Sequence, residues 1–111
     1  MARTEKFIVA VDAQIAALVP RFLANRAADV DRIRMALEQG DFEAIRKAAH
    51  GMKGSGGGYG FQEISRLGAA MEQGALRRDA AALGALLENL EAYLAAVEIK
   101  TGDGREASGN G

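Results

Sequence analysis

The chain lacks cysteine and contains a single histidine, a single proline and few aromatic residues. Without cysteine it can form no disulfide and use no thiolate, which is typical of proteins of the reducing cytoplasm, and we expect that location. One histidine without cysteine does not supply a zinc site of ordinary composition, so no metal site is expected. With aromatic residues at 5% and Ala, Leu, Glu and Arg abundant, the composition is typical of helical proteins.

Long hydrophobic runs and an excess of charge of one sign are also missing. Apolar stretches such as Phe7–Val11 are far too short to cross a bilayer or to form the core of a signal peptide. The formal net charge is −1, and Arg and Lys are interleaved with acids instead of being clustered. We therefore expect neither a membrane nor a nucleic acid as a partner.

The hydrophobic pattern predicts four long helices, because apolar residues recur every three or four positions in four successive segments. Short links are predicted at Gly40–Asp41, Gly57–Gly60 and Gly74–Arg78, with Asp41 and Asp79 as N-caps. The predicted inward-facing residues are Leu23, Ala27, Val30, Ile33, Leu37, Phe42, Ile45, Ala49, Met52, Gly56, Ile64, Leu67, Gly68, Met71, Ala75, Leu83, Leu86, Leu87, Leu90, Leu94 and Val97. On the first helix, Asp29 is predicted to face outward. The fold class is all-α, an antiparallel up-down four-helix bundle.

The two ends of the chain differ from this pattern. Phe7–Val11 has strand propensity, but we find no second strand for it and expect it to lie extended across one end of the bundle. Asp12 is the predicted N-cap of a short helical extension that is kinked or broken near Pro20. The predicted division is an extended N-terminal segment (1–11), the bundle (12–100) and a disordered tail (101–111) rich in glycine and polar residues. A bundle that fills its own core needs no second copy, so a monomer is expected.

The histidine lies among small residues on the second predicted helix. At 100° per residue, Ala49 and Met52 belong to the buried seam, whereas His50 points toward solvent. Arg46, Lys47, Lys53 and Gly54 lie three or four positions from His50 and therefore share its neighbourhood. A neutral imidazole is nucleophilic and abundant near neutral pH, so it can accept a phosphoryl group.

The segment Ala49–Ser55, AHGMKGS, followed by Tyr59–Phe61, YGF, and by Glu72, resembles the signature of histidine-containing phosphotransfer (Hpt) domains. Met52 stands where the family usually has leucine. The resemblance runs from about residue 12 to residue 97. It implies a four-helix bundle that carries a phosphoryl group between receiver-domain aspartates in a two-component phosphorelay. The implied partner is the receiver domain of a response regulator or of a hybrid histidine kinase.

The same resemblance implies roles for individual residues. His50 is the phosphorylated residue, and Lys53 and Gly54 match supporting positions of the family. No cofactor is expected on this chain, because Mg²⁺ would bind to the receiver. The chain is therefore expected to be a phosphoryl carrier and not an independent enzyme.

Elementary chemistry is consistent with those roles and extends them to neighbouring residues. Lys53, one turn after the histidine, can neutralise phosphate oxygens, while Arg46 and Lys47, one turn before it, add positive field toward an acidic receiver pocket. Gly54 and Gly57 leave room for a partner to reach the ring.

Three further positions carry less specific signals. Tyr59 and Phe61 are predicted to be core anchors that fix the turn between two helices. Glu72 matches a recurring acid of the family, but a solvated acid beside Arg66 or Arg77 explains it equally well.

Other chemistries find little support in the sequence. A P-loop needs Gly-Lys-Ser/Thr in that order, whereas the chain has Lys53-Gly54-Ser55 on a helix. Ser55 and Ser65 could partner the histidine, but no nucleophile elbow or oxyanion hole accompanies them. Two alternatives stay open: a helical adaptor that binds receiver or kinase domains without phosphorylation, and the excised phosphotransfer domain of a histidine kinase.

Overall fold

The computed structural model of the chain describes residues 7–11 and 16–101, with side chains over residues 16–97. Most of this part is helical, with α1 at Val19–Gln39, α2 at Phe42–Gly58, α3 at Gln62–Leu76 and α4 at Ala80–Ala96. Each helix packs against the next one along the chain, and α1 also packs against α4. The four helices therefore enclose one core, and the predicted arrangement of four helices is confirmed.

The short links follow the capping chemistry of the sequence. Gly40 adopts a left-handed φ of 71° and ends α1, while the side chains of Asp41 and Asp79 each accept a 3.1 Å hydrogen bond from the amide three residues on. These bonds begin α2 and α4, as predicted. The third link is shorter than predicted, because α3 continues through Gly74 and ends at Leu76.

At its N-terminal end the bundle starts with α1 at Val19. Pro20 lies in the first turn of this helix, where a backbone N–H would have no acceptor within the helix, so the proline costs no hydrogen bond. The predicted N-cap Asp12 lies outside the described residues, as do residues 1–6 and 102–111. The predicted kink in a preceding extension and the predicted division into three segments stay predictions.

A two-stranded parallel sheet accompanies the helices. β1, Phe7–Val11, pairs with β2, Val97–Thr101, with Phe7 opposite Val97. The expectation that the first segment has no partner strand was therefore wrong. The reason is that α4 ends at Ala96 and Val97 turns to an extended conformation, with φ −70° and ψ 137°.

The core matches the prediction on α2 and α3 and differs on α1. Of the residues predicted to face inward on α2 and α3, Phe42 is half-buried and all the others are buried, namely Ile45, Ala49, Met52, Gly56, Ile64, Leu67, Gly68, Met71 and Ala75. On α1, however, Ala27 is exposed and Asp29, predicted to face outward, is only 7% exposed. Asp29 tolerates burial because Arg26 and Arg32 donate to its carboxylate at 2.7 and 2.5 Å.

Aromatic side chains fix the link between α2 and α3. Phe22 of α1 stacks on Tyr59 and on Phe61, with ring centroids 4.5 and 5.1 Å apart, which confirms the two latter residues as core anchors. Tyr93 of α4 is also buried, and that burial raises its pKa to about 12.

None of the helices in the described part of the chain is both long and apolar enough to cross a membrane.

Candidate functional site

The histidine lies midway along α2, on the face turned away from the core. Its neighbour Ala49 is fully buried against α3, whereas the His50 side chain is 64% exposed. The solvent-facing imidazole predicted from the helical period is thus confirmed. A partner molecule can approach the ring without any rearrangement of the bundle.

A carboxylate from α3 holds both the histidine and the lysine. Nδ1 of His50 lies 2.9 Å from Oε2 of Glu72, and Nζ of Lys53 lies 3.1 Å from Oε1 of the same carboxylate. Glu72 is 13% exposed and Lys53 42%. The lysine hydrogen bond, followed by the one to the histidine, lowers the pKa of Glu72 below its ordinary value. Glu72 is therefore ionised at neutral pH.

This contact determines which nitrogen of the neutral imidazole ring carries the hydrogen. An ionised carboxylate can only accept hydrogen bonds, so Nδ1 of His50 must be the donor. In the neutral ring the other nitrogen, Nε2, then carries the lone pair. Glu72 thus selects the tautomer in which Nε2 is the nucleophilic atom.

The carboxylate reaches the histidine because α2 and α3 are in close contact beside it. The Ser65 hydroxyl donates to the backbone carbonyl of Lys53 at 2.8 Å. Gly68 lies one turn before Glu72, and a Cβ built there would be 2.7 Å from the amide nitrogen of Lys53 and 2.9 Å from the carbonyl oxygen of Ala49. Only glycine permits this backbone approach.

The two predicted partner-binding cations have different surroundings. Arg46 donates two hydrogen bonds to Glu43, at 3.0 and 2.6 Å, and this carboxylate raises the pKa of the arginine. The pair leaves less of the charge of Arg46 available to a partner. Lys47 is exposed on the same helix. Their contact with a partner stays a prediction.

The two glycines expected to give access to the histidine are exposed on α2. A Cβ at Gly54 would meet no atom within 4 Å, and one at Gly57 would only touch a serine oxygen at 3.9 Å. The packing of the bundle therefore requires glycine at neither position. Their use as an access route for a partner stays a prediction.

Glu72 is the site residue that the sequence alone left undecided. Arg66, one of the two cations expected beside it, instead binds Glu63 at 2.9 and 2.5 Å. Glu72 is only 13% exposed and binds His50 and Lys53, so the interpretation of a solvated acid beside Arg66 or Arg77 is wrong. The spacing of Ser65, Gly68 and Glu72 at i, i+3 and i+7 places all three on one face of α3 and was the available signal.

The described part of the chain has no group of three His, Asp or Glu side chains arranged to hold a metal ion.

Comparison with curated proteins and with solved structures gave no match. The family model of the Hpt domain matches residues 17–98, which include all four helices and the His50, Lys53 and Glu72 cluster. The chain therefore belongs to the Hpt domain family, which has a phosphotransfer role in two-component systems and interacts with receiver domains.

Proposed function

We propose that this protein is a phosphoryl carrier, in which Nε2 of His50 accepts a phosphoryl group from one receiver aspartate and donates it to another. The observation that carries the proposal is the hydrogen bond between Nδ1 and Glu72 on a side chain that is 64% exposed. It supports a ring that is both reachable and in the nucleophilic tautomer. In this proposal the four helices run antiparallel, up and down, as a monomer in the cytoplasm.

The transfer step exchanges one bond of the phosphorus atom for another. The Nε2 lone pair attacks the phosphorus atom of the aspartyl phosphate, the N–P bond forms, and the P–O bond to the aspartate breaks, so that the carboxylate leaves with the electron pair. The imidazole keeps its Nδ1 proton and becomes positively charged. Glu72 stabilises that charge through the bond it already makes, as an ionised acid beside a histidine does in other nucleophilic sites.

The cations and glycines of α2 complete the proposed site. Lys53 already touches the carboxylate of Glu72 and can turn toward the oxygens of the phosphoryl group. Lys47 and Arg46 add positive charge toward an acidic receiver pocket. Gly54 and Gly57 present little bulk to the approaching partner.

We assign catalysis largely to the partner. Phosphoryl transfer needs alignment and neutralisation of charge, and a receiver domain with its aspartate and Mg²⁺ can supply both. This chain then needs only to present a correctly protonated imidazole. The partner in this proposal is the receiver of a response regulator or of a hybrid histidine kinase.

The proposal is tested with a receiver domain carrying a radiolabelled aspartyl phosphate. Wild-type protein should gain a label that is labile in acid and stable in alkali, and a His50→Gln variant with an unchanged circular dichroism spectrum should gain none. Label on the folded His50→Gln variant would overturn the assignment of the residue. Receiver binding by an unlabelled wild type would overturn the carrier role in favour of a phosphorylation-independent adaptor.

A further inference from the structure

A close backbone contact between α2 and α3 lies one helical turn from Glu72. We propose that Gly68, together with Ser65, is a positioning residue that sets the tautomer of His50 by fixing how near Glu72 lies to the ring. The inference rests on the proposed function only in that this tautomer is the one that accepts the phosphoryl group. Gly68 has no side chain and the Ser65 hydroxyl bonds to the carbonyl of Lys53, so both would act through Glu72.

Gly68 packs against backbone and not against movable side chains. A Cβ at this position would lie 2.7 Å from the nitrogen, 3.0 Å from the Cα of Lys53 and 2.9 Å from the carbonyl oxygen of Ala49. Backbone atoms within a helix cannot turn aside as a side-chain end can. Any residue other than glycine must therefore push α3 away from α2, by roughly half an ångström or more for ordinary van der Waals contact.

The contacted atoms belong to the residues that surround the histidine. Ala49 directly precedes His50, and Lys53 is the second residue that binds Glu72. On α3, Gly68 and Glu72 are four residues apart and face the same way. A shift at Gly68 is therefore transmitted over one turn to the bonds of 2.9 and 3.1 Å that Glu72 makes with His50 and Lys53. Both would approach or pass the limit of a normal hydrogen bond.

Ser65 ties the same two helices together. Its hydroxyl donates to the carbonyl of Lys53 at 2.8 Å, one turn before Gly68 on the same face of α3. Gly68 permits the approach and Ser65 bonds across it. The two residues thus fix the distance between helices on which the Glu72 bond depends.

Gly74 offers a matched control on the same helix. It is buried like Gly68, but its added Cβ would meet the side chain of Leu83 on α4, at 3.1 and 3.3 Å. Gly74→Ala therefore disturbs the packing of α3 without separating it from α2. An effect that follows from general loosening of α3 should appear in both variants, and a positioning effect only in Gly68→Ala.

The tautomer can be measured directly, because the chain has a single histidine. Long-range proton–nitrogen correlation spectra give the ¹⁵N shifts of Nδ1 and Nε2 of His50 without assignment ambiguity. Wild type should show a protonated Nδ1, and Gly68→Ala should move toward the tautomer mixture of a free histidine. Transfer from a phosphorylated receiver to this variant should slow by roughly tenfold. Gly74→Ala should match wild type in both measurements.

Ser65→Ala provides a second variant that creates no steric clash. It should move the ¹⁵N shifts in the same direction as Gly68→Ala, by a smaller amount. If Gly68→Ala does not fold, this variant decides the matter, and unchanged shifts in it would overturn the proposal. Unchanged shifts in a folded Gly68→Ala, or equal changes in Gly74→Ala, would overturn it as well.

The two proposals fail in different ways. If no phosphoryl group reaches wild-type protein but Gly68→Ala alters the ¹⁵N shifts, the carrier role is wrong and the positioning role holds. If wild type is labelled and Gly68→Ala changes neither shifts nor rate, the carrier role holds and the positioning role is wrong.

Discussion

Glu72 and His50 are 22 residues apart in the chain, and the Oε2 of one lies 2.9 Å from the Nδ1 of the other. The two residues belong to different helices, so their bond depends on how α2 packs against α3. Lys53, by contrast, shares α2 with His50, and its proximity follows from the helical repeat alone. The tautomer of the His50 ring thus depends on tertiary packing, while the nearby positive charge of Lys53 depends on local sequence.

Glu72→Gln should separate tautomer selection from the shape of the site. The amide can either donate to or accept from Nδ1, so it no longer favours one tautomer, and it cannot balance positive charge on the ring. We expect phosphoryl transfer to slow by roughly tenfold or more, and the thermal unfolding midpoint at neutral pH to fall modestly, because the ion pair with Lys53 is lost. Rapid-quench measurement with a labelled receiver tests this. Glu38→Gln, on an exposed part of α1, serves as the control, and equal rates in both variants would contradict the role given to Glu72.

The stability of the protein should fall in acid partly because of Glu72. Folding lowers the pKa of this carboxyl below its ordinary value of 4.5, chiefly through the hydrogen bond from Lys53. The unfolded chain therefore binds more protons than the folded one near that pH, and stability rises with pH there. The stability that Glu72 contributes is fully present when the pH is above the ordinary pKa of its carboxyl group. It is lost as the pH falls through the lower pKa of that group in the folded protein.

Lys53→Met provides the test of this pH dependence. Without the lysine the pKa of Glu72 should rise toward 4.5, as seen in a ¹³C titration of its carboxyl. Urea midpoints at about pH 6 and about pH 3 should then differ less in the variant than in wild type. Glu43 and Glu63, whose pKa values are lowered by Arg46 and Arg66, contribute to both proteins alike. An equal fall of the urea midpoint in acid for wild type and Lys53→Met would contradict the claim that Lys53 lowers the pKa of Glu72.

The sequence predicts the parts of this fold that depend on local chemistry. The caps at Asp41 and Asp79, the left-handed Gly40 and the exposure of His50 all follow from residues within one or two turns. Such features need no knowledge of what packs against the helix. The same holds for Lys53, whose spacing from the histidine fixes its neighbourhood.

Features that depend on contacts between elements were missed or left open. Asp29 is one of the polar residues between the apolar positions of α1 and is therefore predicted to face outward, yet the arginines three residues to either side make its burial tolerable. Val97 fits the inward seam of α4 and was predicted to be helical, although it begins the strand paired with Phe7–Val11. The role of Glu72 could not be predicted without knowing that its face of α3 packs against α2.

Gly54→Ala should separate stability from access to the site. A Cβ at Gly54 would project into open space within a regular helix, so alanine should raise the free energy of unfolding by about 0.5–1 kcal/mol. The added methyl group lies one turn from His50, so transfer from a receiver should slow by roughly twofold to tenfold. Gly84→Ala on α4 is the matched control, since its Cβ also meets nothing within 4 Å. It should stabilise the protein and leave transfer unchanged, and identical transfer by both variants would remove Gly54 from the access route.

Asp29→Asn should destabilise the fold without altering phosphoryl transfer by the folded protein. The carboxylate receives bonds from Arg26 and Arg32, and Arg26, itself only 15% exposed, also donates to Ser55 at 2.9 Å and thereby joins α1 to α2. An amide keeps the shape but leaves these guanidinium groups without their counter-charge. We expect a loss of about 1–3 kcal/mol in the free energy of unfolding, measured in urea.

Asp31→Asn is the control for this loss, because Asp31 also pairs with an arginine three residues away, Arg34, but is 81% exposed and 3.4 Å from it. Solvent screens such a pair, so its loss should change stability by less than about 0.5 kcal/mol. Equal effects of the two substitutions would mean that the burial of Asp29 contributes nothing. A slower transfer in folded Asp29→Asn would instead mean that the contact between α1 and α2 reaches the histidine.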